Sequence, residues 1–159
     1  YRVRITSGDQ VVSENFEIKM DPRVKDITMA DMQEKFNLAI QIRDQVTVAN
    51  DAVIKIRSIK EKLNEQAKAS KKALSKSSIS LIAAISKIEE NLYQVRNQSS
   101  QDPLNFPIKL NNKMASLMRV VESGDYKPTA GSYKVFEELK AELAIEINQL
   151  NKLLAEAKL

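Results

Sequence analysis

At 159 residues the chain is the length of one domain, and 43% hydrophobic with 29% charged residues is enough apolar material for a core inside a polar shell. It contains no cysteine and no histidine, which excludes disulfides, thiolate metal sites, cysteine nucleophiles and imidazole bases. A net charge of +4 is too small by itself to mark nucleic-acid binding, and no apolar run approaches the ~18 residues that span a bilayer.

Three glycines and four prolines favour long uninterrupted helices over many turns. No basic start followed by an apolar core marks a signal peptide. The sequence opens inside a strand-like pattern, read here as a segment of a longer polypeptide with any export signal upstream.

Residues 1–20 alternate. Tyr1, Val3 and Ile5 fall on one face, with Arg2, Arg4 and Thr6 on the other. After Ser7-Gly8-Asp9-Gln10 the alternation resumes with Phe16, Ile18 and Met20 against Glu17 and Lys19. Period two on both sides of a glycine turn predicts a β-hairpin. A lone hairpin is marginal in water. It therefore either packs on the helices or supplies the last two strands of a preceding β-sandwich, and the second reading is favoured. Asp21 to Asp26 is a linker, Pro22 holding Asp21 extended. Residues 21–159 are the helical domain.

Thr28 with Asp31 three residues later offers a capped helix start. Met29, Met32, Phe36, Ala39, Arg43, Val46, Ala49, Val53, Ile56, Lys60 and Leu63 then step by three and four, with Ile40, Ile42 and Ile59 widening the stripe. The spacing predicts one helix over 29–66, with Arg43 and Lys60 burying their stems and exposing their charges. Ala67–Ser78 is the turnaround. Leu74, Leu81, Ile82, Ile85, Ile88, Leu92 and Val95 predict a second helix over 78–96.

From Tyr93 to Lys113 the chain becomes dense in Asn, Gln, Ser and Asp, carries Pro103 and Pro107, and interleaves Leu104, Phe106 and Ile108. A polar connector with apolar anchors reads as an ordered loop. Pro107 suits the first turn of a third helix over 107–123, which Gly124 ends. Thr129 caps a fourth over 130–157, where Tyr133, Phe136, Leu139 or Lys140, Leu143, Ile147, Leu150, Leu154 and Ala157 repeat in heptads. The expected fold is mainly α: an antiparallel up-down four-helix bundle with long helices, preceded by a β-hairpin.

The glycines, at 8, 124 and 131, are too scattered for a phosphate loop. Glu89-Glu90 and Glu137-Glu138 sit in helical repeats, where neighbours diverge by ~100° and face solvent, so neither reads as a catalytic pair. No catalytic residue, cofactor or metal is expected in the chain. Asn97-Gln98-Ser99 matches the N-glycosylation pattern, which recurs by chance. The polar residues Asn97, Gln98, Gln101, Asp102, Asn105, Asn111 and Asn112 could hold a ligand or a neighbouring domain, or satisfy the loop's own backbone. With Tyr93, Arg96, Leu104 and Phe106 they form the candidate interaction loop.

Between positions 55 and 76 lie Lys55, Arg57, Lys60, Lys62, Lys68, Lys71, Lys72 and Lys76, against only Glu61 and Glu65. Of these, Lys68, Lys71, Lys72 and Lys76 make a candidate basic tip, either an anion-binding surface or a solvated helix end. No aromatic residue stands among them to stack on a base, so no nucleic-acid partner is expected.

Leu92-Tyr93-Gln94-Val95-Arg96-Asn97-Gln98-Ser99, the run from Gln101 through Asp102-Pro103-Leu104-Asn105-Phe106-Pro107 to Lys113, Gly124-Asp125, Pro128-Thr129 and Ser132 to Leu139 resemble the C-terminal region of a family of large bacterial proteins. These are the BNR-repeat, sortilin-like β-propeller proteins labelled glycosyl hydrolases. The linker from Lys19 to Val24 fits the same family, where it closes a small β-sandwich before the helices. The resemblance implies upstream propeller and sandwich domains in the same chain, a periplasmic or extracellular setting in a bacterium, and a hydrolase label that belongs to the propeller part, any catalytic residues of which lie outside these 159.

The expected function is a non-catalytic structural and interaction module. It docks on the propeller or on a partner through the 93–113 loop, Leu104 and Phe106 anchoring it. The alternative is an accessory part that completes a carbohydrate-processing site, and a third reading takes the basic tip as an anion-binding surface.

Overall fold

The computed structural model describes residues 1–158. Strands β1 (Arg2–Ser7) and β2 (Gln10–Asn15) precede four helices, α1 (Met29–Ala69), α2 (Lys76–Leu92), α3 (Leu110–Glu122) and α4 (Ala130–Glu156). A 3-10 turn over Asp102–Leu104 lies between α2 and α3. The fold is the expected mainly helical bundle behind a hairpin.

α1 begins where the sequence says it should. The Asp31 amide donates to Thr28 Oγ1 at 3.2 Å, and the Thr28 amide donates back to Asp31 Oδ2 at 2.9 Å. This reciprocal pair satisfies two amides that a helix start leaves free, and the Thr28 hydroxyl, donating to Asp31 Oδ2 at 2.7 Å, together with the Thr28 amide holds the Asp31 carboxyl below its ordinary pKa. Forty-one residues without Gly or Pro then make a rod of about 60 Å. Its buried stripe is Leu38, Ala39, Ile42, Ala49, Ala52, Val53 and Ile56, with Val46 and Ile59 packed beside it.

The stripe departs from expectation at its start. Met29 and Phe36 are exposed, and Leu38, about 200° round from Phe36, turns inward instead. Lys35 lies one turn before Leu38 and Ala39. Its ammonium reaches the Gly124 carbonyl at 2.7 Å and Asp125 at 3.5 Å, bonding the chain just past the end of α3. Arg43 is also outside the core, paired with Asp44 at 2.6 Å.

α1 ends in a turn where Lys71 takes a left-handed φ of 51°. The Lys71 amide donates to the Lys68 carbonyl and the Lys72 amide to the Ala67 carbonyl, both at 3.1 Å, occupying two carbonyls of the last turn. Ser75 then caps α2, accepting from the Ser78 amide at 3.1 Å. α2 runs back along α1, Glu89 meeting Arg57 and Lys60.

α3 does not reverse. Asn111 at its start meets Asn50, and Gly124 past its end meets Lys35, so α3 continues α2 along the same spine. α2 and α3 thus form one column, broken by residues 93–109. α4 packs on both and runs parallel to α1, Lys113 facing Glu142 at 3.7 Å and Asn91 bonding Glu146 at 2.9 Å. Its inward residues are Ser132, Phe136, Leu139, Leu143, Leu150 and Leu154. Leu139 rather than Lys140 is the buried one of that pair, and Ser132 replaces the expected Tyr133 because its hydroxyl bonds Thr129 at the helix cap.

The hairpin pairs Ser7 with Gln10 and Arg2 with Asn15, turning on Gly8, whose φ of 58° suits glycine. The second strand is therefore 10–15, not the expected run through Phe16, Ile18 and Met20. The two-residue turn brings Val11 and Val12 straight into register, and Phe16 bonds Tyr1 at 3.0 Å just past the paired strands. Tyr1, Val3, Ile5, Val12 and Phe16 share one face and are all exposed. Neither strand packs on a helix.

Removing residues 1–20 should thus leave the bundle's melting temperature within about 2 °C of the intact chain. Ile42→Ala, at a fully buried position of α1, should cost about 2–5 kcal/mol in chemical unfolding.

Candidate functional site

The connection between α2 and α3 is built from its own side chains. Tyr93 adopts extended backbone (φ −137°, ψ 143°), so α2 stops at Leu92, four residues before the expected end at 96. Gln94 is buried and bridges the loop's two ends. Its Nε2 donates to the Pro107 carbonyl at 2.8 Å, while its Oε1 accepts from the Arg96 amide at 3.3 Å. Since that bond fixes Pro107, helix α3 starts only at Leu110, not at the proline. Three residues of α3 were expected and are loop.

Asp102 holds the tip. Its carboxylate accepts from the backbone amides of Gln98 and Ser99 and from the Ser99 hydroxyl, the last two at 2.8 and 3.0 Å. Those backbone bonds, with the Ser99 hydroxyl, hold the Asp102 carboxyl below its ordinary pKa. The 3-10 turn follows, the Asn105 and Phe106 amides both donating to the Asp102 carbonyl at 2.9 Å. Arg96 lies over the half-buried Phe106 ring at 5.6 Å.

Of the two expected anchors Phe106 is half-buried, whereas Leu104 is 83% exposed and is not covered by the loop itself. Val95 and Ile108 are exposed too. The polar side chains Gln98, Gln101 and Asn105 face solvent around them. Asn111 is buried on the spine side, its amide 3.3 Å from Asn50, and Asn112 is half-buried on α3. Asn97 Oδ1 and Asn111 Oδ1 are buried without a protein partner. The structure thus brings Arg96, Asn97, Gln98, Gln101, Asp102, Leu104, Asn105 and Phe106 into one tight turn and places Tyr93, Asn111 and Asn112 against the bundle.

Glu89 sits directly behind the loop and overturns the expectation that it faces solvent. Its side chain is only 5% exposed and takes Arg57 Nε at 2.6 Å and Lys60 Nζ at 2.8 Å. Burial pushes its carboxyl up, but hydrogen bonds from Lys60 and Arg57, together with their charges, outweigh that and hold it below the ordinary range. The Arg57 guanidinium also lies 4.9 Å from the Tyr93 ring centre. One ion cluster therefore joins α1, α2 and the first loop residue. Lys60 keeps its place on the stripe only because this carboxylate is there to receive it.

Beside the loop, Asn91, Pro107, Ile108, Lys113, Glu142 and Glu146 line an open groove of about 430 Å³. A second groove of about 550 Å³ runs between α3 and α4, with Ile108, Leu117, Val120, Val135 and Leu139 along it. A third, of about 570 Å³, lies between the 18–27 linker and the start of α1. At the far end Lys68, Lys71, Lys72 and Lys76 are exposed. The tip and the loop are thus separate sites, about 20–25 Å apart along α2.

Among the described residues no cluster of His, Cys, Asp or Glu is placed to hold a metal, and no helix is long and apolar enough to cross a membrane. Glu137 and Glu138 face Lys140 at 3.6 Å and Lys134 at 4.0 Å rather than each other. What the arrangement offers is recognition by shape and apolar contact. Gln94 and Glu89 were missed as organising residues. The signal for Glu89 was a carboxylate on the apolar face of α2, four residues after Ile85 and three before Leu92, whereas nothing local marked Gln94, which lies past the helix end.

Because Glu89 has a lowered folded pKa, its contribution is complete above the unfolded value of about 4.3 and is lost as pH falls through the folded value. Glu89→Gln should cost about 1–2 kcal/mol at neutral pH, with Arg57 half in solvent limiting the loss, and should flatten the fall in stability below about pH 4. Urea melts across pH 3–7 check both. Asp102→Asn should leave the helices unchanged while the Gln98 and Ser99 amides exchange faster with solvent, read by NMR. Comparison with family models, with curated proteins and with solved structures gives no match to this chain.

Proposed function

We propose that the chain is a non-catalytic docking module, which presents the 93–109 loop to a neighbouring β-rich domain of the same polypeptide or to a partner protein. The observation that carries this reading is Leu104, 83% exposed at the tip of a turn whose geometry is fixed by Asp102 and Gln94. Ordering an apolar side chain in water has no return within this chain. Held in one place, it lowers the entropy lost when a partner covers it. Ile108 and the α3–α4 groove extend the apolar surface away from the loop.

The hairpin supports the same reading from the other end. Two strands with an uncovered apolar face complete a sheet outside the bundle, as the resemblance to the propeller family implies for the sandwich before the helices. That resemblance makes the propeller of the same polypeptide the first candidate surface, in a periplasmic or extracellular setting.

The titrant in the test is the propeller segment of the polypeptide to which the resemblance assigns the chain, added to residues 1–159 in a calorimeter. Saturable binding is expected, weakened at least about tenfold by Leu104→Ala with an unchanged melting curve. Absence of binding, or equal binding by the variant, overturns the reading.

A further inference from the structure

The turn joining α1 to α2 gathers the chain's unbalanced charge. Lys62, Lys68, Lys71, Lys72 and Lys76 lie on it and its flanking helix ends. α4 runs past the Asn91–Glu146 contact toward the same end, bringing Lys152 and Lys158. Against these seven lysines stand Glu61, Glu65 and Glu156. The excess of four equals the net charge of the whole chain, so the remainder of the molecule is balanced. All seven lysines are exposed, and none pairs with a carboxylate among the described residues.

Two of them occupy backbone that suits glycine. Lys71 and Lys158, each just past a helix end, have φ of 51° and 55°. A side chain is strained there, and glycine is the usual occupant. The chain thus keeps a positive charge at both helix ends against a local conformational cost. No residue of 61–80 lines any of the grooves described above. Among the lysines, Leu74 is half-buried and Ile79 is 55% exposed, the apolar side chains next to the cationic ones.

We infer that this end of the bundle docks on an anionic lipid bilayer, the lysines meeting headgroup phosphates and Ile79 and Leu74 entering the interfacial layer. A small anion is held best by a site that encloses it, and none of the grooves described above includes these lysines. A nucleic-acid strand needs aromatic platforms, and residues 55–76 hold none. A bilayer asks only for an extended cationic face and a few apolar side chains.

The test sediments the whole chain with phosphatidylcholine vesicles that contain or lack phosphatidylglycerol. Binding is expected only with phosphatidylglycerol, falling more than about tenfold between about 0.05 and 0.5 M NaCl. The combined variant Lys68→Glu, Lys71→Glu, Lys72→Glu, Lys76→Glu should lose it by about a hundredfold or more. Should that variant fail to fold, Lys71→Gly decides alone. It removes charge and strain together, so it should raise the melting temperature while weakening vesicle binding about fivefold. Absence of binding at low salt, equal binding to neutral vesicles, or unchanged binding by the variants overturns the inference. So does binding of inorganic phosphate or an oligonucleotide without binding of vesicles.

Discussion

The length of α1 constrains everything else. A rod of 41 residues exposes one apolar stripe from Leu38 to Ile56 that water cannot be left to cover. Neither α2, with 17 residues, nor α3, with 13, is long enough to shield it alone. Laid end to end, the two form a column that matches most of α1, and α4 closes the third side. The bundle is therefore three helices thick along most of its length although it contains four.

That solution creates a break in the column, and the break is where the molecule becomes irregular. A gap between helices leaves carbonyls at the end of α2 and amides at the start of α3 without helical partners. Gln94 spans the break through the Pro107 carbonyl, and Asp102 folds the protruding part onto its own backbone. The Glu89 cluster ties the spot to α1 immediately behind it. With the backbone groups so occupied, the loop shows Leu104 to the outside among Gln98, Gln101 and Asn105. The basic end lies at the other limit of α2, set by the turn rather than by the break, so the two surfaces can act on different partners.

Much of this was legible in the sequence, because it follows from local rules. Thr28 and Asp31, the uninterrupted 3.6-residue period of α1 and Thr129 specify helix starts and faces without reference to the rest of the chain. What was not legible depends on contacts distant in sequence. Pro107 looks like a first helical residue until the Gln94 amide, thirteen positions earlier, takes its carbonyl. Glu89 looks like a solvent-facing acid until Arg57 and Lys60 reach it from α1. Phe36 fits the stripe by spacing, yet Leu38 and Lys35 fit it better once α3 ends beside them. Within the candidate loop, composition pointed to order, and among the described residues only Asp102 of the seven polar ones bonds the loop's own backbone, while Gln98, Gln101 and Asn105 face solvent. Whether the loop would itself cover Leu104 could not be read, since a leucine among polar residues is the same pattern whether it is covered or shown.

The end-to-end column is the claim on which the loop's role rests, and one distance tests it. The chain has no cysteine, so two introduced at Ser77 and Glu122 are its only sites for spin labels. With α2 and α3 in line along α1, the labels should lie about 50 Å apart by double electron–electron resonance. A distance of about 10–20 Å would mean that α3 folds back beside α2, and it would contradict the account.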